Sequence, residues 1–476
     1  MNRPLTLASS VAGAVVVALD GTVLTVAQPT LRRDLHASFA QVQWTSTGYL
    51  VAVASLLVFA GRLGDAYGHR RTYAVGMLGF GAASAGIALA PGVGWVIGLR
   101  VVQGVFGALL QPATLGMLRA AYPPERLRRP IAVRTAAIGV AAAAGPVVGG
   151  ALATGFGWRA VFLLNIVPAL GFGVLALASG KERARERPRT GVALDVPGAL
   201  LLAVALGCLV HTLVTPLGVT GAPGAAVAVA AVLAGAAFVR HERRTPAPLL
   251  PPDVIGSPAV GAALALLVTA SAALNGALFA SVYVLQDDLG LTPLRTALLS
   301  LPLAVLLIAA APASAVLLRR AGARPTLAGA TAVLATGPLV LAQASGPTAF
   351  CTGFALLGAG FGTVMVAATH VVVRQAPAES AGVAGGLQQT AMNVGPVLGV
   401  ASATVLMGHA GARSPLLVLA VAALAAVPVC RVLPGASRTG ATAASAGLPA
   451  GGSDTEHTRH GVEREPFTPP LRDHEG

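Results

Sequence analysis

Two ionisable residues stand where an apolar environment penalises them. Asp20 interrupts the apolar run that begins near Leu7, and Arg100 lies inside the run that begins near Trp95. If these runs lie in a bilayer, each charge costs about 2.5 to 3.5 kcal/mol on insertion scales, and something must offset it. A carboxyl group there can exchange a proton, because burial favours the neutral acid and a nearby cation favours the carboxylate. Asp20 is therefore a candidate for alternately holding a proton and facing a cation. The alternative is a structural carboxylate bonded through neighbours such as Thr22 or Thr25. Arg100 is the candidate partner, and the pair would form a proton-controlled latch; otherwise Arg100 reaches an interface or binds backbone carbonyls.

Other residues have chemistry of a mechanical kind. Gly61, Asp65, Gly68, Arg70 and Arg71 surround a short turn between two apolar runs. Glycine permits the turn and a close helix approach, Asp65 can interact with a helix N-terminal dipole, and the arginines favour one side of a membrane. In Gly145-Pro146-Val147-Val148-Gly149-Gly150 the small residues allow close helix packing, and Pro146 removes a backbone donor and favours a kink. Asn275, His370 and Asn393 are polar residues inside later apolar runs, placed either to line a cavity or to bond between helices. Cys208, Cys351 and Cys430 stand singly with no metal-ligand spacing, so no metal site is expected.

The elements that must position these residues are membrane helices. Hydrophobic residues make up 55% of the chain and charged residues 11%, against about 25% charged in an ordinary soluble domain. Roughly fourteen apolar stretches of about 18 to 27 residues fill most of the chain, which predicts an all-α polytopic membrane protein. The net charge of +14 does not point to nucleic acid, because arginines such as Arg126, Arg129, Arg240, Arg243, Arg319 and Arg320 sit in alternate gaps between spans. That asymmetry places both termini in the cytoplasm. The expected division is a six-helix half over 1–180, a basic cytoplasmic loop over 181–195 and two additional helices over 196–240. A second six-helix half over 241–433 and a disordered cytoplasmic tail over 434–476 complete it. Gly145-Pro146-Val147-Val148-Gly149 recurs as Gly395-Pro396-Val397-Leu398-Gly399, the mark of duplicated halves. Trp44, Trp95 and Trp158 are expected at the outer interface, and Asp287 with Asp288 at a solvated outer mouth.

The turn motif at Gly61, Leu63, Asp65, Gly68, Arg70 and Arg71 resembles the loop between the second and third helices of the major facilitator superfamily. Leu19-Asp20-Gly21-Thr22-Val23, Gln43-Trp44 through Tyr49, Gly98-Leu99-Arg100 with Gln103-Gly104, and Trp158-Arg159 with Phe162 and Asn165-Ile166 resemble the fourteen-helix drug:proton antiporter branch, the EmrB/QacA type. Gly145, Pro146, Gly149 and Gly150 resemble that branch's exporter motif. The resemblance implies a major-facilitator fold, a latch at the turn motif, and export of lipophilic small molecules coupled to protons, with the proton gradient as energy source and no cofactor. It implies residence in the cell membrane, with no nucleic acid or obligate protein partner. Arg319-Arg320-Ala321-Gly322-Ala323-Arg324 keeps the basic turn of the motif in the second half but lacks its aspartate. Proton-coupled uptake, or a receptor or scaffold without turnover, are the rival expectations; no nucleophile with a paired base suggests an enzyme.

Overall fold

A lipid environment leaves backbone polar groups no partner but one another, and the chain answers with helices throughout. The computed structural model describes residues 3–123, 126–178, 195–214, 217–245, 257–375 and 381–433. The first helices are α1 (Arg3–Asp34), α2 (Phe39–Tyr67), α3 (His69–Ala88), α4 (Val93–Ala121) and α5 (Arg128–Phe156). A broken sixth run follows as α6 (Arg159–Leu163) and α7 (Ile166–Ala178), then α8 (Val196–Val214) and α9 (Leu217–Glu242). The remainder is α10 (Pro258–Tyr283), ending in a π-helical turn, α11 (Pro293–Ala321), α12 (Ala323–Gln343), α13 (Pro347–Gln375), α14 (Ala381–Ala410) and α15 (Ser414–Ala425).

Local chemistry sets several boundaries. Ser38 and Gln41 form a reciprocal capping box at the start of α2, and Thr292 accepts from the Arg295 amide ahead of Pro293 at the start of α11. Gly68 joins α2 to α3 at φ 93°, and Gly322 joins α11 to α12 at φ 83°, conformations in which a side chain would be strained.

Among the described residues, eleven helices are long and apolar enough to cross a membrane, or twelve if the bent α2 is one span. The expected fourteen is therefore not reached. The two helices outside the set are α3, which opens on His69-Arg70-Arg71, and α8, whose apolar stretch is only Val196–Thr212. The basic loop falls almost wholly, and the tail entirely, outside the described residues.

The repeated Gly-Pro segments dock in the same way. On α5, side chains at Gly145 and Gly149 would run into Thr22 and Val23 of α1; on α14, side chains at Gly395 and Gly399 would run into Ser271 and Ala272 of α10. In both pairs the missing Cβ allows backbone to approach backbone. At Gly399 the obstacle is the Ala272 main chain itself, which cannot swing away as a side chain can. Gly399→Ala is expected to cost about 1 to 3 kcal/mol, the range for overpacking, and to lower the melting temperature of the detergent-purified protein. An unchanged melt would contradict this packing.

Around these pairs, α2 packs on α4, α3 on α4 and α7, α11 and α12 on α13, and α5 on α11. One apolar core draws mainly on residues between Val260 and Leu433. Two smaller ones lie among α1 to α7. A fourth joins α2, α8 and α14 through Val51, Ala54, Leu206, Val210, Val397 and Ala401.

Candidate functional site

Asp20 and Arg100, eighty residues apart in sequence, meet in the interior of the first helices. Arg100 Nη1 donates to Asp20 Oδ2 at 2.6 Å, and the two side chains are 1% and 2% exposed for Asp20 and Arg100 respectively. The other carboxylate oxygen accepts from Asn165 Nδ2 at 2.8 Å and from Gln103 Nε2 at 3.2 Å. Asn165 lies in the short turn between α6 and α7 and is itself buried. Arg100 is held in turn: Nε donates to the Thr45 carbonyl at 2.8 Å, Nη1 also to Gln103 Oε1 at 2.6 Å, and its guanidinium lies 4.5 Å from the Tyr49 ring centroid. Gln103 further donates to Ser84 Oγ at 2.7 Å.

Five segments thus meet in one cluster, of which α4 and the turn at Asn165 bond the Asp20 carboxylate itself. The close fit depends on Gly104, where a side chain would meet the Tyr49 carbonyl, and on Gly107, where it would meet the Tyr49 hydroxyl. A buried charge pair loses hydration, and only complete hydrogen bonding restores the balance. Here the carboxylate is fully engaged. A proton placed on Asp20 would remove the charge that holds Arg100 and convert one acceptor into a donor. Thr22 and Thr25, the alternative partners, bond instead to carbonyls of their own helix.

The helices around this cluster are closed at one end. Where α1 finishes, Arg32 Nη2 meets Asp287 Oδ2 at 2.6 Å, and its guanidinium lies 4.3 Å from the Phe39 ring centroid. Gln286 Nε2 donates to the Val26 carbonyl at 2.9 Å, and the Leu294 amide donates to Thr154 Oγ1 at 3.2 Å. A side chain at Gly150 of α5 would press on Pro293, Leu294 and Ala297 of α11. Eleven residues make about three helical turns, so the same two faces can be followed inward. On α5 the corresponding position is Gly139, where a side chain would meet nothing within 4 Å. On α11 the positions are Val305 and Ile308, 59% and 49% exposed. The two helices touch at one end and part at the other.

Filling the cradle at Gly150 should therefore favour opening of the closed end. Overpacking costs about 1 to 3 kcal/mol. Gly150→Leu is expected to raise the labelling rate of a cysteine placed at the buried Ala297 about tenfold or more, as ~1.4 kcal/mol would. The reagent is a membrane-impermeant maleimide. Equal rates with and without the leucine would mean that this contact does not gate the end.

The turn motif packs against α4 in this arrangement, where a side chain at Gly116 would run into His69. Asp65, 57% exposed, pairs with His69 Nε2 at 3.3 Å in the adjoining first turn of α3 rather than with a distant helix. Gly61 lies against Pro112 of α4, Gly68 supplies the positive φ, and Arg71 is exposed, as Arg70 is in part. Pro146 lies within α5, unbroken from Arg128 to Phe156.

The three polar residues of the second half are not brought together: no hydrogen bond joins any two of them among the described residues. Asn275 donates to the Ser271 carbonyl of its own helix at 2.9 Å, His370 is exposed, and Asn393 is buried with its Nδ2 unpartnered. Sequence reasoning did not foresee the Arg32–Asp287 contact; Asp287 and Asp288 are both exposed, as residues of a solvated mouth would be. It also placed Trp158 at the interface, whereas Trp158 is buried and donates to Asp34 at 2.7 Å. The signal available for Asp287 was its position at the outer end of one span, matched by Arg32 at the outer end of another.

Residues 11–392 and 262–471 match the Major Facilitator Superfamily. The chain belongs to that superfamily. It is a multi-pass membrane transporter and not an enzyme. This major facilitator is 41% identical over 410 residues to the tetracenomycin C resistance and export protein of Streptomyces glaucescens, covering 84% of this chain and 75% of the relative. It is 34% identical over 417 residues to a probable actinorhodin transporter of Streptomyces coelicolor, covering 83% and 71%. Among solved structures it is similar to a POT-family transporter in complex with 5-aminolevulinic acid, at a TM-score of 0.67 and 10% identity, covering 91% of this chain and 96% of that one. At that identity the likeness concerns the fold alone.

Proposed function

We propose that this transporter exports lipophilic small molecules, antibiotics among them, in exchange for protons, by alternating access between two six-helix halves. The observation that carries the reading is the Asp20 carboxylate, sealed by Arg100, Gln103 and Asn165 inside a helix assembly that is closed at only one end. Relatives named for resistance and export support the direction of transport. The open end bears the start of α1, Arg126 and Arg129 before and within α5, and Arg319 and Arg320 in the last turn of α11. By the positive-inside rule that end faces the cytoplasm, in the cell membrane, with both termini on that side.

The cycle follows from this polarity. Cargo enters the crevice between α5 and α11 from the cytoplasm while Asp20 is ionised and holds Arg100. After the outer end opens, a proton reaches Asp20, the pair loosens and cargo leaves; proton release to the cytoplasm restores the loading state. Each charge moved through 100 mV contributes about 2.3 kcal/mol. The six-two-six division and the fourteen-helix branch belong to the same reading. It is supported by α3, which buries Tyr73, Met77 and Phe80 among other helices, and by α8, which packs on α2 and α14. Both then cross the membrane as well.

The test uses inverted vesicles with a lipophilic dye and an internal pH indicator. Energised vesicles are expected to accumulate dye and release protons in step, both abolished by an uncoupler. Dye movement out of the vesicles would support uptake, and no gradient-driven flux across a broad compound panel would favour a non-transporting receptor.

A further inference from the structure

We infer that Arg134 seats the acidic group of the cargo, so that this transporter takes lipophilic anions, carboxylates or ionised phenols, in preference to cations. The inference rests on the crevice being the cargo's route. Arg134 lies about 9 Å along α5 from Arg128, at 1.5 Å per residue, and so well inside the helix. It is half-buried. Its Nε and Nη2 both donate to Thr114 Oγ1 of α4, at 3.2 and 2.9 Å. Thr114 Oγ1 donates in turn to the Gln111 carbonyl at 2.9 Å, which leaves its lone pairs to the arginine.

This bond bridges two helices that otherwise scarcely touch, because α4 and α5 both pack on α1. At the same level Ser10 of α1 donates to the Thr114 carbonyl at 2.8 Å, and Tyr73 of α3 donates to the Ser9 carbonyl at 2.7 Å. The rear of α1 is therefore filled by α3, and the Arg134 side chain crosses in front, on the wall of the crevice. Further in along α5, Gly139 faces open space.

An arginine at this depth calls for water or an anion. Arg32, Arg100 and Arg159 each meet a carboxylate at 2.6 Å, whereas Arg134 meets only a neutral hydroxyl among the described residues. The surrounding helices offer nothing better, since α4, α5, α10, α11, α13 and α14 contain no Asp or Glu. Beyond α10, Asp287 and Asp288 lie at the closed end. In α1 and α2 the acids are Asp20, sealed by Arg100, Gln103 and Asn165; Asp34, held by Trp158 and Arg159; and Asp65, beside His69 in the turn. A cationic cargo thus finds no free counter-charge in the crevice. An anionic one finds Arg134 Nη1, which has no partner among the described residues, and guanidinium binds carboxylate oxygens through strong charge-assisted bonds. The duplicated fold does not call for this cation: at the offset from Gly145 to Gly395, the second half carries Ala384 in its place.

The full-length protein, reconstituted in phosphatidylcholine nanodiscs, is titrated with pyrenebutyrate, its neutral methyl ester and the cation ethidium, and binding to empty discs is subtracted. Pyrenebutyrate is expected to bind about tenfold more tightly than the ester, as one charge-assisted hydrogen bond allows, and ethidium more weakly than either. Arg134→Gln keeps a donor for Thr114 and is expected to weaken pyrenebutyrate about tenfold while leaving the ester within about twofold. Arg134→Lys, which keeps the charge, is expected to retain the preference for the anion, and its loss there counts against the proposal. An equal loss of both ligands in Arg134→Gln makes the residue a structural tie between α4 and α5 and overturns the proposal. So does an unmodified protein that binds the ester or ethidium as tightly as the anion. The titration uses no gradient: absent proton-coupled flux with the anion preference intact would strike proton exchange alone, and intact flux without that preference would strike this inference alone.

Discussion

Asp20→Asn is expected to abolish proton-coupled efflux while the protein still inserts and folds. Asparagine keeps the shape of the side chain and can still bond Asn165 and Gln103, but it has no proton to exchange and no charge with which to hold Arg100. At 100 mV the coupled charge supplies about 2.3 kcal/mol, so a concentration ratio of about 50-fold disappears. Downhill exchange of cargo should persist, which separates lost coupling from lost binding. The measurements are uphill dye accumulation and equilibrium exchange in the same inverted vesicles. Normal uphill accumulation by the variant would remove Asp20 from the mechanism.

Arg100→Ala should act on the fold as well as on transport. It leaves a carboxylate that is 1% exposed without its cation, and breaking a buried pair from one side costs about 3 to 5 kcal/mol. It also removes the bond to the Thr45 carbonyl and the contact with the Tyr49 ring, so α4 loses these two of its ties to α2. A large drop in thermal stability is expected, with much of it recovered in Asp20→Asn, Arg100→Gln, where neither partner is charged. Transport should not recover. If Arg100→Ala melts like the unmodified protein, the pair is not what holds these helices together.

Asp20 and Arg100 were both legible from their positions inside apolar runs, because a charge in an apolar span has few ways to be satisfied. Their pairing was one of two open readings for Arg100. The supporting residues were harder to find: Asn165, Gln103, Thr45 and Ser84 are common polar residues, and only the way the helices cross brings the first two to the carboxylate and the other two to the side chains that hold it. The repeat of Gly-Pro segments likewise announced two similar contacts, but not that their partners would be α1 and α10. The expected number of spans exceeded the eleven or twelve that qualify by length and apolarity among the described residues. Sliding hydropathy tolerates short runs and charged helix starts, such as α8 and α3, that a stricter length and apolarity test does not.

What the sequence determined by itself is what depends on local quantities: apolar spans and helical structure. Those follow from transfer free energies and from the need of a backbone in lipid to satisfy its own polar groups. Only the tertiary structure decided which charges meet and which end is shut. Asp287 reads the same in sequence with or without Arg32 beside it, and Gly139 and Gly150 differ only in whether another helix stands opposite. Contacts between segments more than a hundred residues apart depend on how whole helices lean on one another, and no periodicity within either helix records that angle.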